Sequence, residues 1–127
     1  MKREKKEFLL VEDFEDSRFM MRRLLEMAGY SVIEATDGEQ AVRMAVQARP
    51  ALILMDLSLP KMDGLAATRN IRQKKGLKRV PIVAVSAHDS DESRAEALDA
   101  GCNEYVTKPI DFDLLTDLIQ RFVGPKL

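Results

Sequence analysis

Two hydrophobic rhythms alternate along this chain. Short apolar runs of strand length occur at FLLV (8–11), SVIEA (31–35), ALILM (51–55), VPIVAVS (80–86) and EYVT (104–107), several of them rich in Val and Ile. Between these runs the apolar residues recur at threes and fours, the spacing of one helical face. Met20, Met21, Leu24, Leu25 and Ala28 form such a stripe, and Gly29 follows where a helix C-cap glycine would stand. Asp16 or Ser17 is expected to cap its start. A second stripe runs through Leu114, Leu115, Leu118, Ile119 and Phe122, with Asp111 as N-cap and Gly124 and Pro125 as a stop. Further helices are predicted over about Glu39 to Ala48, Leu65 to Lys74 and Ser90 to Ala100.

Strand followed by helix, five times over, predicts an α/β fold with a parallel sheet, because parallel neighbours need a crossover that a helix supplies. The runs ALILM and VPIVAVS are continuously apolar rather than alternating, as strands covered on both faces should be. In open sheets of this kind ligands sit beyond the carboxyl ends of the strands. The residues at those ends are therefore the candidate site. They are Glu12 and Asp13 after the first strand, Asp56 after the third, Ser86 and His88 at the fourth, and Thr107, Lys108 and Pro109 after the fifth.

Three carboxylates on one edge repel one another unless a cation intervenes. All-oxygen ligation suits Mg²⁺ better than Zn²⁺, which would want His or Cys, and the chain has one of each. Lys108 offers a compact positive charge for a phosphate oxygen, and the Ser86 hydroxyl a hydrogen bond to the same group. A carboxylate beside a metal also acts as a nucleophile toward phosphorus. Asp56 comes alone from its strand and is the candidate nucleophile, whereas Glu12 and Asp13 are adjacent and read as the metal-holding pair.

Composition narrows the classes. The 127 residues suffice for one domain with a hydrophobic core, and 46% hydrophobic with 32% charged residues is the balance of a globular protein. Twenty basic residues against twenty-one acidic ones give no bulk charge for nucleic acid or an anionic membrane. No apolar run is long enough to cross a membrane or to form a signal peptide, and the single Cys102 allows no internal disulfide. Cytoplasmic localisation is expected. The basic positions Lys2, Arg3, Lys5 and Lys6 are interleaved with Glu4 and Glu7 and read as a solvated tail. Cys102 and the seven methionines read as core packing, and Pro60 and Gly64 as shapers of the loop after the third strand.

The ordered set VED, LMDLSLPKMDG, VPIVAVSAH and AGCNEYVTKPID resembles the receiver domain of two-component response regulators, from Phe8 to Phe122. Members of that family are among the examples from which the strand-end rule was drawn, so the rule lends no separate support. The resemblance implies a flavodoxin-like three-layer sandwich, with strand order 2-1-3-4-5 and five flanking helices. It implies a single domain over 1–127, with its core at about 7–123 and no output domain.

Position by position, the resemblance makes Asp56 the phosphoacceptor, with Asp13, Asp56 and the backbone carbonyl of Ser58 on Mg²⁺ (Mn²⁺ as a substitute) and Glu12 acting largely through water. Ser86 and Lys108 would contact the phosphoryl group, and the Lys108–Pro109 peptide would be cis. Tyr105 falls at an aromatic switch position, where the ring is expected to turn inward once Ser86 is drawn to the phosphoryl group. This movement would reshape the face made by helix 4, strand 5 and helix 5. Ser58 and His88 are candidates for setting the lifetime of the phosphate.

The implied partners are a histidine kinase or histidine phosphotransfer protein and a downstream protein target. The implied state is a monomer or a phosphorylation-dependent dimer, and the chain would catalyse only its own phosphorylation and dephosphorylation. Alternatives are a magnesium-dependent phosphatase or phosphotransferase with an aspartyl nucleophile, a constitutive interaction module, and a receiver excised from a hybrid kinase or multidomain regulator. Haloacid dehalogenase enzymes carry a DxD pair where this chain has DFE at 13–15, and a flavin site would need a Gly/Ser/Thr-rich loop after strand 1.

Overall fold

The computed structural model describes residues 6–59 and 61–124; Pro60, Pro125 and the basic positions Lys2, Arg3 and Lys5 lie outside them. Strands β1 (Glu7–Val11), β2 (Ser31–Ala35), β3 (Leu52–Asp56), β4 (Ile82–Ser86) and β5 (Glu104–Thr107) alternate with helices α1 (Glu15–Met27), α2 (Gly38–Ala48), α3 (Gly64–Gln73), α4 (Asp91–Ala100) and α5 (Phe112–Val123). All strand pairs are parallel and the order is β2-β1-β3-β4-β5, the architecture expected from the sequence.

Side-chain alternation sorts the core into two halves. Leu9, Val11, Ile53, Met55, Ile82, Ala84 and Tyr105 share one cluster with Ala41 and Ala45 of α2, Ala67 and Ile71 of α3, and Ala97 of α4. Phe8, Leu10, Leu52, Leu54, Val83 and Val106 share the other with Leu25 of α1 and Leu115, Leu118 and Ile119 of α5. Both faces of the sheet are thus covered, which is why β3 and β4 are apolar without alternation. Burying one such Leu or Ile fully contributes about 1.5–3 kcal/mol. Truncating Leu54 would lose that and leave a cavity besides.

Four helices begin at side-chain caps. Asp37 accepts from the Gln40 amide, Asp63 from Ala66, Ser90 from Ser93, and Asp111 from Asp113 and Leu114. Helix α1 departs from the expectation that Asp16 or Ser17 caps it. Its N-cap is Phe14, which has no capping side chain, and Asp16 lies inside the first turn. The Phe14 amide is instead taken by the Glu12 carboxylate at 3.1 Å, so a site residue performs part of the capping.

Several strand ends also shift, with β1 starting one residue early at Glu7. β3 begins at Leu52 and includes Asp56, while β4 begins at Ile82, after Pro81, which has no N–H for a ladder. Gly64 is the first residue of α3 rather than a loop residue. A Cβ there would overlap the backbone carbonyl of Asp56, so the missing side chain lets the helix start against the end of β3.

Candidate functional site

The sheet carries its order one residue past the strand ends. The Glu12 amide donates to the Ala35 carbonyl at 3.0 Å, Leu57 to Val85 at 3.1 Å, and Lys108 to Ser86 at 2.8 Å. Asp56 keeps the parity of Leu52 and Leu54, which places its side chain on the α1/α5 side of the sheet. Three apolar strands and the start of the loop after β5 thereby deliver Glu12, Asp56, Ser86 and Lys108 to one edge.

Asp56 and Glu12 are buried, 4% and 7% exposed, and Asp13 is exposed beside them. One carboxylate oxygen from each of the three lies within 4.8 Å of the other two. The Lys108 ammonium reaches both buried acids, at 3.3 Å from Asp56 Oδ2 and 3.4 Å from Glu12 Oε1. These distances exceed the roughly 2.7–2.9 Å of a tight charge-assisted bond, so the ammonium is shared between two acids and docked on neither.

Burial raises the Glu12 carboxyl above its ordinary value; the Phe14 amide pulls it down, neighbouring Asp56 raises it further, and Lys108 offsets part of that. For Lys108, burial alone would lower the ammonium, but the attraction of Asp56 and Glu12 outweighs it and the net direction is up. Lys108 therefore stays charged at neutral pH, one cation against three carboxylates. That surplus of buried negative oxygen fits a hard divalent cation with several oxygen ligands.

The remaining sequence candidates fall around this centre. The Ser58 amide donates to Asp56 Oδ1 at 2.9 Å, orienting the carboxylate. Ser86 is 3% exposed, and its Oγ accepts from the His88 amide at 3.1 Å. The His88 side chain is exposed, while its backbone ties two other candidates together, since its carbonyl accepts from the Tyr105 hydroxyl at 2.6 Å. Tyr105 lies inward, only 7% exposed. The Lys108–Pro109 peptide is cis. Cys102 is buried near Thr68, with Sγ 3.8 Å from its Oγ1, and burial pushes the thiol up.

Sequence reasoning missed the arginines that frame the site. Arg18 of α1 donates to the Glu12 carbonyl at 3.1 Å and pairs with Glu34 at 3.4 Å, pinning the β1–α1 loop. Arg94 of α4 stands over the Tyr105 ring, 5.0 Å from its centroid. Both lie on helices of mixed charge, where only folding reveals their partners. Beside the acids, a cavity of about 300 Å³ opens under α1, lined by Met20, Met21, Leu24, Ile110 and Phe112 as well as Asp56 and Lys108.

Known proteins share this fold. Residues 8–120 match the response regulator receiver domain. The polar-differentiation response regulator DivK of Brucella anthropi is 33% identical over 119 residues, 94% of this chain and 97% of that protein. The receiver domain of a sensor histidine kinase from Pseudomonas aeruginosa PAO1, solved with a magnesium ion coordinated in its active-site cleft, superposes with a TM-score of 0.89 at 40% identity, over 95% of this chain and 99% of that one. The chemotaxis protein CheY4 of Vibrio cholerae gives a TM-score of 0.88 at 29% identity, over 94% of this chain and 99% of its own. Among the described residues no helix is long and apolar enough to cross a membrane. By this match across nearly its whole length, the chain belongs to the response regulator receiver domain family, whose members are signalling domains rather than conventional enzymes.

Proposed function

We propose that the chain is a phosphorylation-dependent switch of the cytoplasm, which accepts a phosphoryl group on Asp56 from a histidine kinase or histidine phosphotransfer protein and signals to a protein target. The observation that carries this reading is the buried Asp56 carboxylate, oriented by the Ser58 amide at 2.9 Å and faced by Lys108 at 3.3 Å. A carboxylate so desolvated and so oriented is a mounted nucleophile.

In the proposed step an Asp56 carboxylate oxygen attacks the phosphorus of a phosphohistidine. An O–P bond forms, the P–N bond breaks, and its electron pair leaves with the imidazole, which takes up a proton from solvent. The product is an acyl phosphate on Asp56. Transfer of this kind needs chiefly positioning and offset of charge on the phosphoryl oxygens. Lys108 supplies one positive charge, and the Ser86 hydroxyl, whose oxygen already accepts from His88, has its proton free to donate. Glu12, Asp13, Asp56 and the carbonyl of Ser58 would hold Mg²⁺, or Mn²⁺ in its place, whose charge offsets that of the transferring group. Hydrolysis of the acyl phosphate would use the same residues, so the chain would catalyse only its own phosphorylation and dephosphorylation.

Apolar side chains rim the charged mouth, with Phe14 60% and Met20 61% exposed on one side. Exposed apolar surface of this kind beside a reactive group supports delivery by a macromolecular donor. The test is incubation with Mg²⁺ and acetyl phosphate followed by intact mass measurement. An adduct of about 80 Da, one phosphoryl group, is expected on the wild type and absent from Asp56→Asn. No adduct on the wild type, or an undiminished one on the variant, contradicts the reading.

A further inference from the structure

The resemblance to receiver domains links an inward aromatic ring to the phosphorylated form. In this chain the inward position of Tyr105 is held by contacts that the protein makes with itself. The hydroxyl donates to the His88 carbonyl at 2.6 Å, a strong bond to a fixed backbone acceptor. The Arg94 guanidinium covers the ring at 5.0 Å from its centroid, within the range of a cation–π contact. Arg94 is itself tethered, donating to Asp89 Oδ1 at 3.0 Å. Asp89 directly follows His88, so the Arg94–Asp89 pair and the Tyr105–His88 bond close on the same short β4–α4 loop. The loop continues inward to the phosphoryl-binding hydroxyl, because the His88 amide donates to Ser86 Oγ at 3.1 Å.

We propose that Arg94, anchored by Asp89, is a positioning residue that latches Tyr105 inward, so that the ring-in form is the ground state of this chain and phosphorylation changes its ring population little. The inference rests on the switch reading above, in which Tyr105 shapes the α4/β5/α5 face. A ligand moves a two-state equilibrium only by its differential affinity for the two states, and an equilibrium already poised inward leaves it little to move. The ring's share of that face is then formed before phosphoryl transfer, and the phosphorylation-dependent change is left to the β4–α4 loop, which the His88 amide ties to Ser86 Oγ. Removing the latch lets the ring out and restores a response.

The chain has two tyrosines, so incorporation of 3-fluorotyrosine gives two ¹⁹F resonances. Tyr30, buried and stacked on Phe8 at 4.4 Å between centroids, is the internal reference. Relaxation by a neutral paramagnetic probe in solution then reports how often the Tyr105 ring is outside. Arg94→Ala is expected to raise the probe effect on Tyr105 roughly threefold to fivefold, the population change that loss of an exposed cation–π contact produces, with Tyr30 unmoved. Arg94→Lys, which keeps a cation, should stay within about twofold of the wild type. Mg²⁺ with beryllium fluoride, a phosphoryl mimic, should shift the Tyr105 resonance little in the wild type and draw the Arg94→Ala ring back inward.

An unchanged probe effect in Arg94→Ala overturns the latch. So does Arg94→Lys behaving as alanine, or a wild type that responds to the mimic as strongly as Arg94→Ala. Uptake of the phosphoryl group on Asp56 is read separately by mass. A protein that forms the adduct yet shows no Arg94 effect fails the latch alone, while one that forms no adduct but opens in Arg94→Ala fails the receiver reading alone.

Discussion

The two edges of the sheet hold buried charge in opposite ways. At the amino edge, Arg72 at the end of α3 donates to the Gly101 carbonyl at 2.9 and 2.8 Å, to Leu77 at 3.1 Å, to Val80 at 2.6 Å and to Asn103 Oδ1 at 2.8 Å. Burial lowers its pKa from the ordinary value, yet every acceptor is a neutral oxygen fixed by the fold, and the α3–β4 and α4–β5 loops are sewn together around one planar fork. At the carboxyl edge, two buried carboxylates, Asp56 and Glu12, share one ammonium at 3.3 and 3.4 Å, with the exposed Asp13 beside them. The first arrangement leaves nothing to react. The second leaves charge uncompensated, and that deficit is the capacity to bind a cation and a phosphoryl group. Fully satisfied polar groups stabilise, and under-satisfied ones are held in reserve for chemistry.

Substitutions at the two edges should therefore move stability in opposite directions. Arg72→Ala is expected to have the largest effect on the fold, a loss of roughly 3 kcal/mol, because it strands several acceptors at once. This corresponds to a fall in Tm of roughly 10 °C by calorimetry for a domain of this size. A fall of only a degree or two would mean that water replaces the guanidinium and that the amino edge is not clamped as described. Lys108→Ala comes next. The rate of adduct formation with acetyl phosphate should drop by about a hundredfold, as when a preorganised charge facing the developing oxyanion is removed. An unchanged rate would take Lys108 out of the site.

Glu12→Gln should give the smallest effect and the opposite sign. Burial and Asp56 hold the Glu12 carboxyl above its ordinary 4.5, so its protonated form favours the fold. Its stabilising contribution is complete below that ordinary value and is lost as pH rises through the raised one. Glutamine keeps the neutral state at all pH. It should raise Tm by roughly 2–4 °C at neutral pH, and the gain should shrink as pH falls toward 4. A variant less stable than the wild type at neutral pH would show that the pair with Lys108 outweighs the repulsion. The same substitution should weaken Mg²⁺ binding, which isothermal titration measures.

The contrast also marks what was legible in the sequence. A parallel sheet places every strand's carboxyl end on one edge, so Glu12, Asp13, Asp56, Ser86 and Lys108 could be gathered by strand position alone, and they meet as that rule implies. The helices were legible from spacing and caps, with Asp111 capping α5 as expected. Helix α1 was misread at its start because it begins before the expected caps: its N-cap is Phe14, whose amide is taken by Glu12 two residues earlier, and Asp16 and Ser17 fall inside the first turn. Arg72 was silent because its acceptor Gly101 is 29 residues away and is a backbone carbonyl, identical in every residue. Arg94 was silent for the same reason, since a ring face and a loop acid become its partners only once α4 packs beside β5.

The identity of the nucleophile is tested most directly by the chemistry of the bond it forms. The wild-type protein, phosphorylated with acetyl phosphate in Mg²⁺, is treated with neutral hydroxylamine and its peptides are sequenced by mass spectrometry. An acyl phosphate on a carboxylate is attacked at its carbonyl carbon, so phosphate should be released and a hydroxamate left on Asp56 alone. A phosphate that survives hydroxylamine, as an ester on a hydroxyl side chain would, or a hydroxamate on Glu12 or Asp13 in place of Asp56, would contradict the account.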